Sequence, residues 1–224
     1  MPSRRSRILM GLCGIFGVAA LAYYYSVPFP LPPPNASSDQ VVAFGTRYHD
    51  AILLDTWLQA IGSLLTVTFA VALVHFAGAT NRFAGWMTLL ASSLTLAVAL
   101  SEGMFAIAAA QAAVLGHAET ALASIDLTNV FVYIFLMVPA PTFFLSLGAV
   151  LLGSQVLPRM FGYLALALGG AFAILGLVGL FSASAIAFSI VLLIGQELWI
   201  VAAAIALIIR AVKGEKPTVE SQAE

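Results

Sequence analysis

The sequence predicts an all-α bundle of about six membrane-spanning helices in one domain, and three observations carry that expectation. Hydrophobic residues make up 62% of the 224 and charged ones only 8%, whereas a soluble domain needs roughly a quarter of its residues charged to cover its surface. Mean hydropathy is +1.04, so the outer surface must be apolar as well as the core, and the surrounding solvent is lipid. Stretches of the roughly twenty apolar residues that cross a hydrocarbon core recur near 8–27, 51–77, 84–108, 129–152, 160–181 and 186–209.

The first stretch follows Arg4, Arg5 and Arg7, and Ala20-Leu21-Ala22 has the small-residue character of a signal-peptide cleavage site. The apolar run nevertheless continues through Tyr23, Tyr24 and Tyr25 to Val27, long enough to span, so we read it as an uncleaved first helix. Residues 28–50 are Pro-rich, then polar, and are expected to form a partly extended extracytoplasmic loop. The second and third helices are joined by a short turn at Arg82. Residues 111–128 are expected to be a second outer loop with room for a short helix. Pro139-Ala140-Pro141 falls in the middle of the fourth helix, where two missing backbone donors bend or open it. Gly169, Ala173 and Gly176 on the fifth read as a small-residue packing seam. The sixth ends the membrane domain, 1–212, and residues 213–224 form a polar cytoplasmic tail.

Orientation follows from the basic residues, which collect on the cytoplasmic side. With the N-terminus inside, that side holds Arg4, Arg5, Arg7, Arg82, Arg159, Arg210, Lys213 and Lys216, and the other only Arg47. Both termini are therefore expected in the cytoplasm, in a plasma (inner) membrane. Two internal echoes are visible. Arg82-Phe83-Ala84-Gly85-Trp86 is like Arg159-Met160-Phe161-Gly162-Tyr163, and Ser101-Glu102 is like Gln196-Glu197. They imply incompatible repeat units, and an Arg beside an aromatic is the usual interfacial anchor.

The groups that need explaining are carboxylates inside spans. Glu197 falls near the midplane of the sixth helix, Glu102 in the outer half of the third, and Asp55 about one turn into the second. Ionisable groups at such depth cost several kcal/mol and face a bundle interior, a partner or a water cavity. No Lys or Arg lies in any of the six stretches, so each carboxylate must be protonated, hydrogen-bonded to amides or hydroxyls, or paired with a bound cation. Helical spacing groups Asp55, Gln59, Ser63 and Thr66 on one face and Thr88, Ser92, Thr95 and Glu102 on another. The functional reading is an outward-facing polar crevice lined by Asp55, Gln59, Glu102, Gln196 and Glu197. The bland reading is that hydroxyls and amides join membrane helices through modest hydrogen bonds.

His49 and His117 lie on outer segments beside Asp50, Glu119 and Asp126, a weak nitrogen and oxygen set for zinc, without the spacing of a preformed site. A bis-histidine haem would need two histidines at matching depth in facing helices. The net charge of −1 argues against nucleic acid as a partner. Cys13 is alone and apolar in setting, so neither an internal disulfide nor a metal-binding pair arises. There is no GxSxG, HExxH or phosphate-binding glycine loop.

Gln155-Val156-Leu157-Pro158-Arg159, a Gly- and Leu-rich helix, and Gly195-Gln196-Glu197-Leu198-Trp199 leading to Ile209-Arg210 resemble a group of bacterial multi-span membrane proteins. That group is domain-of-unknown-function family 4386, and the resemblance covers roughly residues 50–210. It implies a multi-span helical fold, an acidic residue in a middle helix that Glu102 matches, and an Asn-Glu or similar pair in the last helix. Gln196 departs from the more usual Asn. The family implies no activity. From the residues, the expected function is a non-enzymatic inner-membrane protein that binds or moves a small ligand, proton or cation. An accessory or assembly subunit of a larger membrane complex is the alternative, and a membrane-embedded enzyme comes third.

Overall fold

The computed structural model describes residues 3–26, 36–182 and 188–214, and among these the regular elements are all helices. They are α1 (Arg4–Ser26), α2 (Ser38–Arg47), α3 (His49–Phe76), α4 (Phe83–Val114), α5 (Ala118–Met137), α6 (Pro139–Leu152), α7 (Arg159–Gly179) and α8 (Ser189–Lys213). Among the described residues, six helical segments are long and apolar enough to cross a bilayer: α1, α3, α4, the α5–α6 pair, α7 and α8. Trp57, Phe83, Trp86, Tyr163, Phe181 and Ile190 all stand more than half exposed on the outside of the bundle. A surface this apolar is suited to lipid rather than water, and the architecture is that of a multi-pass membrane protein.

Small residues let the helices approach. Gly11 and Gly14 of α1 face Ile208 and Ala204 of α8, and Gly17 packs on the Gly62 carbonyl of α3. These pairings make α1 antiparallel to both neighbours and bring the start of α1 and the end of α8 to one end of the bundle. That end also carries the turns at 77–82 and 153–158, so Arg4, Arg5, Arg7, Arg82, Arg159, Arg210 and Lys213 share it. Two of these arginines hold the second turn: Arg82 Nη1 donates to Gly153 O at 3.3 Å, and Arg210 Nη1 to Gln155 O at 2.8 Å and Val156 O at 3.1 Å. They satisfy carbonyls beyond the C-terminus of α6, where cations are favoured. Nearby, Trp199 donates its indole N–H to Phe161 O at 3.0 Å and meets Phe144 edge-on at 5.6 Å, closing the core of this half.

The structure corrects two expected loops at the opposite end. Residues 111–128 are almost entirely helical, because α4 runs on to Val114 and α5 starts at Ala118. Gly116 makes this tight turn possible: its φ of +74° lets His117 N donate back to Ala112 O at 2.8 Å. Alanines at 108–110, 112 and 113 favour the helical extension. Of the expected loop 28–50, residues 28–35 lie outside the described residues, but Ser38–Arg47 is the helix α2. Ser37 starts it with a capping box, exchanging hydrogen bonds with Gln40. Val41 and Gly45 then seat α2 on α4, where a Cβ at Gly45 would lie 2.5 Å from Ala113 Cβ. The expected tail is described only to Gly214.

The proline break behaves as the sequence suggests. Val138, at φ −127° and ψ −60°, separates α5 from α6, with Pro139 at the first position of the new helix. Of the small-residue seam expected on α7, Gly169 and Gly176 pack as expected, Ala173 is exposed instead, and Gly162 extends the seam toward the basic end. Gly162 packs on Leu152, Gly169 on Leu145, and Gly176 on the Leu136 carbonyl at the break itself.

Candidate functional site

α3 presents Asp55, Gln59, Ser63 and Thr66 toward the bundle interior, all at least nine-tenths buried. α4 brings Thr95 and Glu102 alongside, and α8 brings Gln196 and Glu197. Two adjoining spaces lie between these helices. The larger is a cavity of about 910 Å³ whose walls include Asp55, Gln59, Glu102 and Glu197. The smaller, about 130 Å³, is bordered by Gln59, Glu102, Gln196 and Glu197 with Ser63 and Thr66. Gln59, Glu102, Leu193 and Glu197 border both and form their junction.

Hydrogen bonding at the junction is incomplete. Gln59 Nε2 donates to Glu102 Oε2 at 2.8 Å, and Gln196 Nε2 to the adjacent Glu197 Oε1 at 3.2 Å. Asp55 Oδ1, Glu197 Oε2, Thr66 Oγ1 and Thr95 Oγ1 are buried without any hydrogen-bond partner. Buried polar atoms are nearly always satisfied, and an orphan costs about 1–3 kcal/mol. Of the five such atoms among the described residues, four belong to residues around this pair of adjoining spaces, the fifth being Ser92 Oγ, so most of them call for an explanation at the site. Among the described lining residues there is no Lys, Arg or His, so the polar part of the wall offers acceptors, amides and hydroxyls.

Local packing explains why the space exists. Gly103, next to Glu102, lets α4 approach α3, since a Cβ there would lie 2.7 Å from Thr56 Cγ2. Apart from Ser189, the buried positions of α8 start at Trp199, so the helix is anchored in the basic half and loosely held beyond it. Ile190, Ile194 and Leu198 line the cavity and are also 63%, 56% and 66% exposed on the bundle surface. α8 thus closes the cavity only loosely along this edge. α2 borders it through Val41, Phe44 and Gly45. The break after α5 contributes as well, since Ala140, Phe143 and Phe144 line the smaller space.

All five residues expected at the crevice border one or both spaces, with one shift in depth. Glu197 lies eight residues into the 25-residue α8 rather than at its middle, because the helix starts at Ser189 and runs to Lys213. That brings it level with Gln59 and Glu102. The α3 stripe lines the spaces throughout, whereas the α4 stripe divides. Thr88 and Ser146 hydroxyls sit 2.9 Å apart between α4 and α6, beside the Ala84 and Thr142 carbonyls, and join helices rather than line the site. Ser92 is likewise away from the cavities.

The histidines have other surroundings. His49 contacts Asp50 Oδ1 through Nδ1 at 2.8 Å and Gln111 Nε2 through its own Nε2 at 3.1 Å, which the Nδ1–H tautomer satisfies. His117 is at the N-terminal boundary of α5. No group of three His, Cys, Asp or Glu among the described residues is placed to hold a metal ion. Sequence reasoning missed Thr56, Thr128 and Ser189 as further polar lining, and the helix α2 at the cavity edge. Gly103 directly after Glu102 was the available signal for the first of these. Neither family models, nor curated proteins, nor solved structures give a match to this chain.

Proposed function

We propose that this is a non-enzymatic protein of the plasma (inner) membrane, with both termini in the cytoplasm. In this reading it binds or moves a small ligand, proton or cation through an outward-facing polar crevice. One observation carries it: Asp55, Glu102 and Glu197, from three helices distant in sequence, border one cavity with two carboxylate oxygens unpartnered. A purely structural use of these residues would satisfy those oxygens. The sidedness rests on the basic residues gathered at the end away from the cavity, the distribution that cytoplasmic ends show.

The test is reconstitution into vesicles with an internal pH indicator and an imposed gradient of sodium or potassium. Wild-type protein is expected to give ion- or proton-dependent signals that Glu102→Gln and Glu197→Gln remove while the melting temperature stays within a few degrees. If both variants fold and give the wild-type signal, the crevice reading is lost.

A further inference from the structure

We infer that the cavity takes an organic monocation with a bulky apolar body, entering sideways from the lipid past α8. The inference deepens the proposed function and rests on it.

Size is the first argument. A cavity of about 910 Å³ is at the upper end of the roughly 300–1,000 Å³ range of small-molecule sites. A proton needs no such volume, and even a water's share of liquid is only about 30 Å³. Shape and chemistry agree. The wall is mostly apolar, with Phe44, Ile125, Leu193 and Val201 among its members, and two of its three carboxylates, Glu102 and Glu197, stand where it adjoins the smaller space. Asp55 is 9% exposed, and its Oδ1 and Glu197 Oε2 have no hydrogen-bond partner. Such oxygens attract a positive charge that arrives with its own apolar covering.

Two alternatives fit less well. A bare divalent ion requires several oxygen ligands converging within about 2.0–2.6 Å. The three carboxylates border the same space, yet no such cluster exists among the described residues. A zwitterionic phospholipid would bring a phosphate, and no Lys or Arg is among the described lining residues to receive it. The route is given by Ile190, Ile194 and Leu198, which face both the cavity and the outside of the bundle.

The experiment is equilibrium binding of radiolabelled tetraphenylphosphonium to the full chain in phosphatidylcholine nanodiscs. Saturable binding at one per chain is expected, weakened at least tenfold by Asp55→Asn and by Glu197→Gln. Ile194→Trp, on a lipid-exposed face where folding is tolerant, should weaken binding similarly by filling the entrance. Neutral triphenylphosphine oxide and zinc should not compete, and nanodiscs of phosphatidylethanolamine should leave binding unchanged. Non-saturable uptake, unchanged binding in all three variants, or competition by the neutral analogue or zinc would overturn the inference. Loss of binding in phosphatidylethanolamine would do the same, by assigning the site to a lipid headgroup. If the cation fails to bind while gradient-driven signals persist and vanish in Glu102→Gln, this inference alone falls. If both fail, the crevice reading falls with it.

Discussion

Gln59 on α3 donates its side-chain amide to Glu102 on α4 across 2.8 Å, joining two neighbouring helices at the junction of the two spaces. A hydrogen bond between membrane helices is worth about 0.6 kcal/mol on average and up to about 1.7. Its loss costs more when the surviving partner is left buried and unsatisfied. Glu102→Gln keeps an acceptor for the Gln59 amide and is expected to melt within about 2 °C of wild type. Glu102→Leu strands that amide, which is 5% exposed, and should lose about 1–2 kcal/mol. Circular-dichroism melting in a mild detergent separates the two. Equal melting of both variants would mean the pair does not couple α3 to α4.

Sidedness can be read with cysteines. Cys13 is the single native cysteine, so a Cys13→Ala background accepts one reporter at a time. Thr46→Cys, in the last turn of α2, should react with an impermeant maleimide added outside intact cells. A cysteine replacing Gly214, beyond α8 at the basic end, should react only after permeabilisation. Labelling in the reverse order would invert the topology.

How much of this was legible beforehand differs by level. Hydropathy located all six spans to within a turn or so at most ends, because a lipid-facing helix must be apolar on nearly every face. The exceptions meet at Gly116: the third stretch was expected to end at 108 but α4 runs on to Val114, and residues 118–128 carry Glu119 and Asp126 and read as loop, yet they are helix because Gly116 turns the chain tightly. α2 was invisible to hydropathy, being short and polar, although the Ser37–Gln40 capping box marked its start. At the site, the choice of Asp55, Gln59, Glu102, Gln196 and Glu197 followed from the cost of burying them. Their meeting in one crevice was expected too, but spacing alone could not secure it, since it cannot say that α8 lies level with α3 and α4. Nor could it show that Thr88 belongs to a helix seam with Ser146 while Thr95, on the same stripe, reaches the cavity.

Two glycines on α7, Gly170 and Gly176, should respond oppositely to one methyl group. A Cβ at Gly176 would lie 2.6 Å from the Leu136 carbonyl oxygen and 3.0 Å from Met137 Cα, backbone atoms at the α5–α6 break that have little room to shift. At Gly170 a Cβ meets nothing within 4 Å. Gly170→Ala should therefore be neutral or stabilising by up to about 1 kcal/mol through helix propensity. Gly176→Ala should be destabilising by about 1–3 kcal/mol through overpacking. Thermal unfolding of both, side by side, checks the sign; a stabilised Gly176→Ala would show that the break moves freely.

Asp55 offers the sharpest conflict between stability and function. It is 9% exposed, and its Oδ1 is buried without a hydrogen-bond partner. A residue kept for packing would gain from losing that oxygen, because an orphaned buried acceptor costs about 1–3 kcal/mol. Leucine has nearly the same branching and length and suits a wall that is largely apolar, with Ile52 and Ala109 among its members. Asp55→Leu is thus expected to raise the melting temperature, by about 2–4 °C for each kcal/mol gained in a chain of this size. The same substitution removes the cavity carboxylate nearest the end of the bundle opposite the basic turns and should reduce tetraphenylphosphonium binding by at least tenfold. A gain in stability joined to a loss of binding is the pattern of a site maintained at structural cost. If Asp55→Leu instead unfolds the protein, the carboxylate is a structural acceptor, and its place in the binding site must be given up.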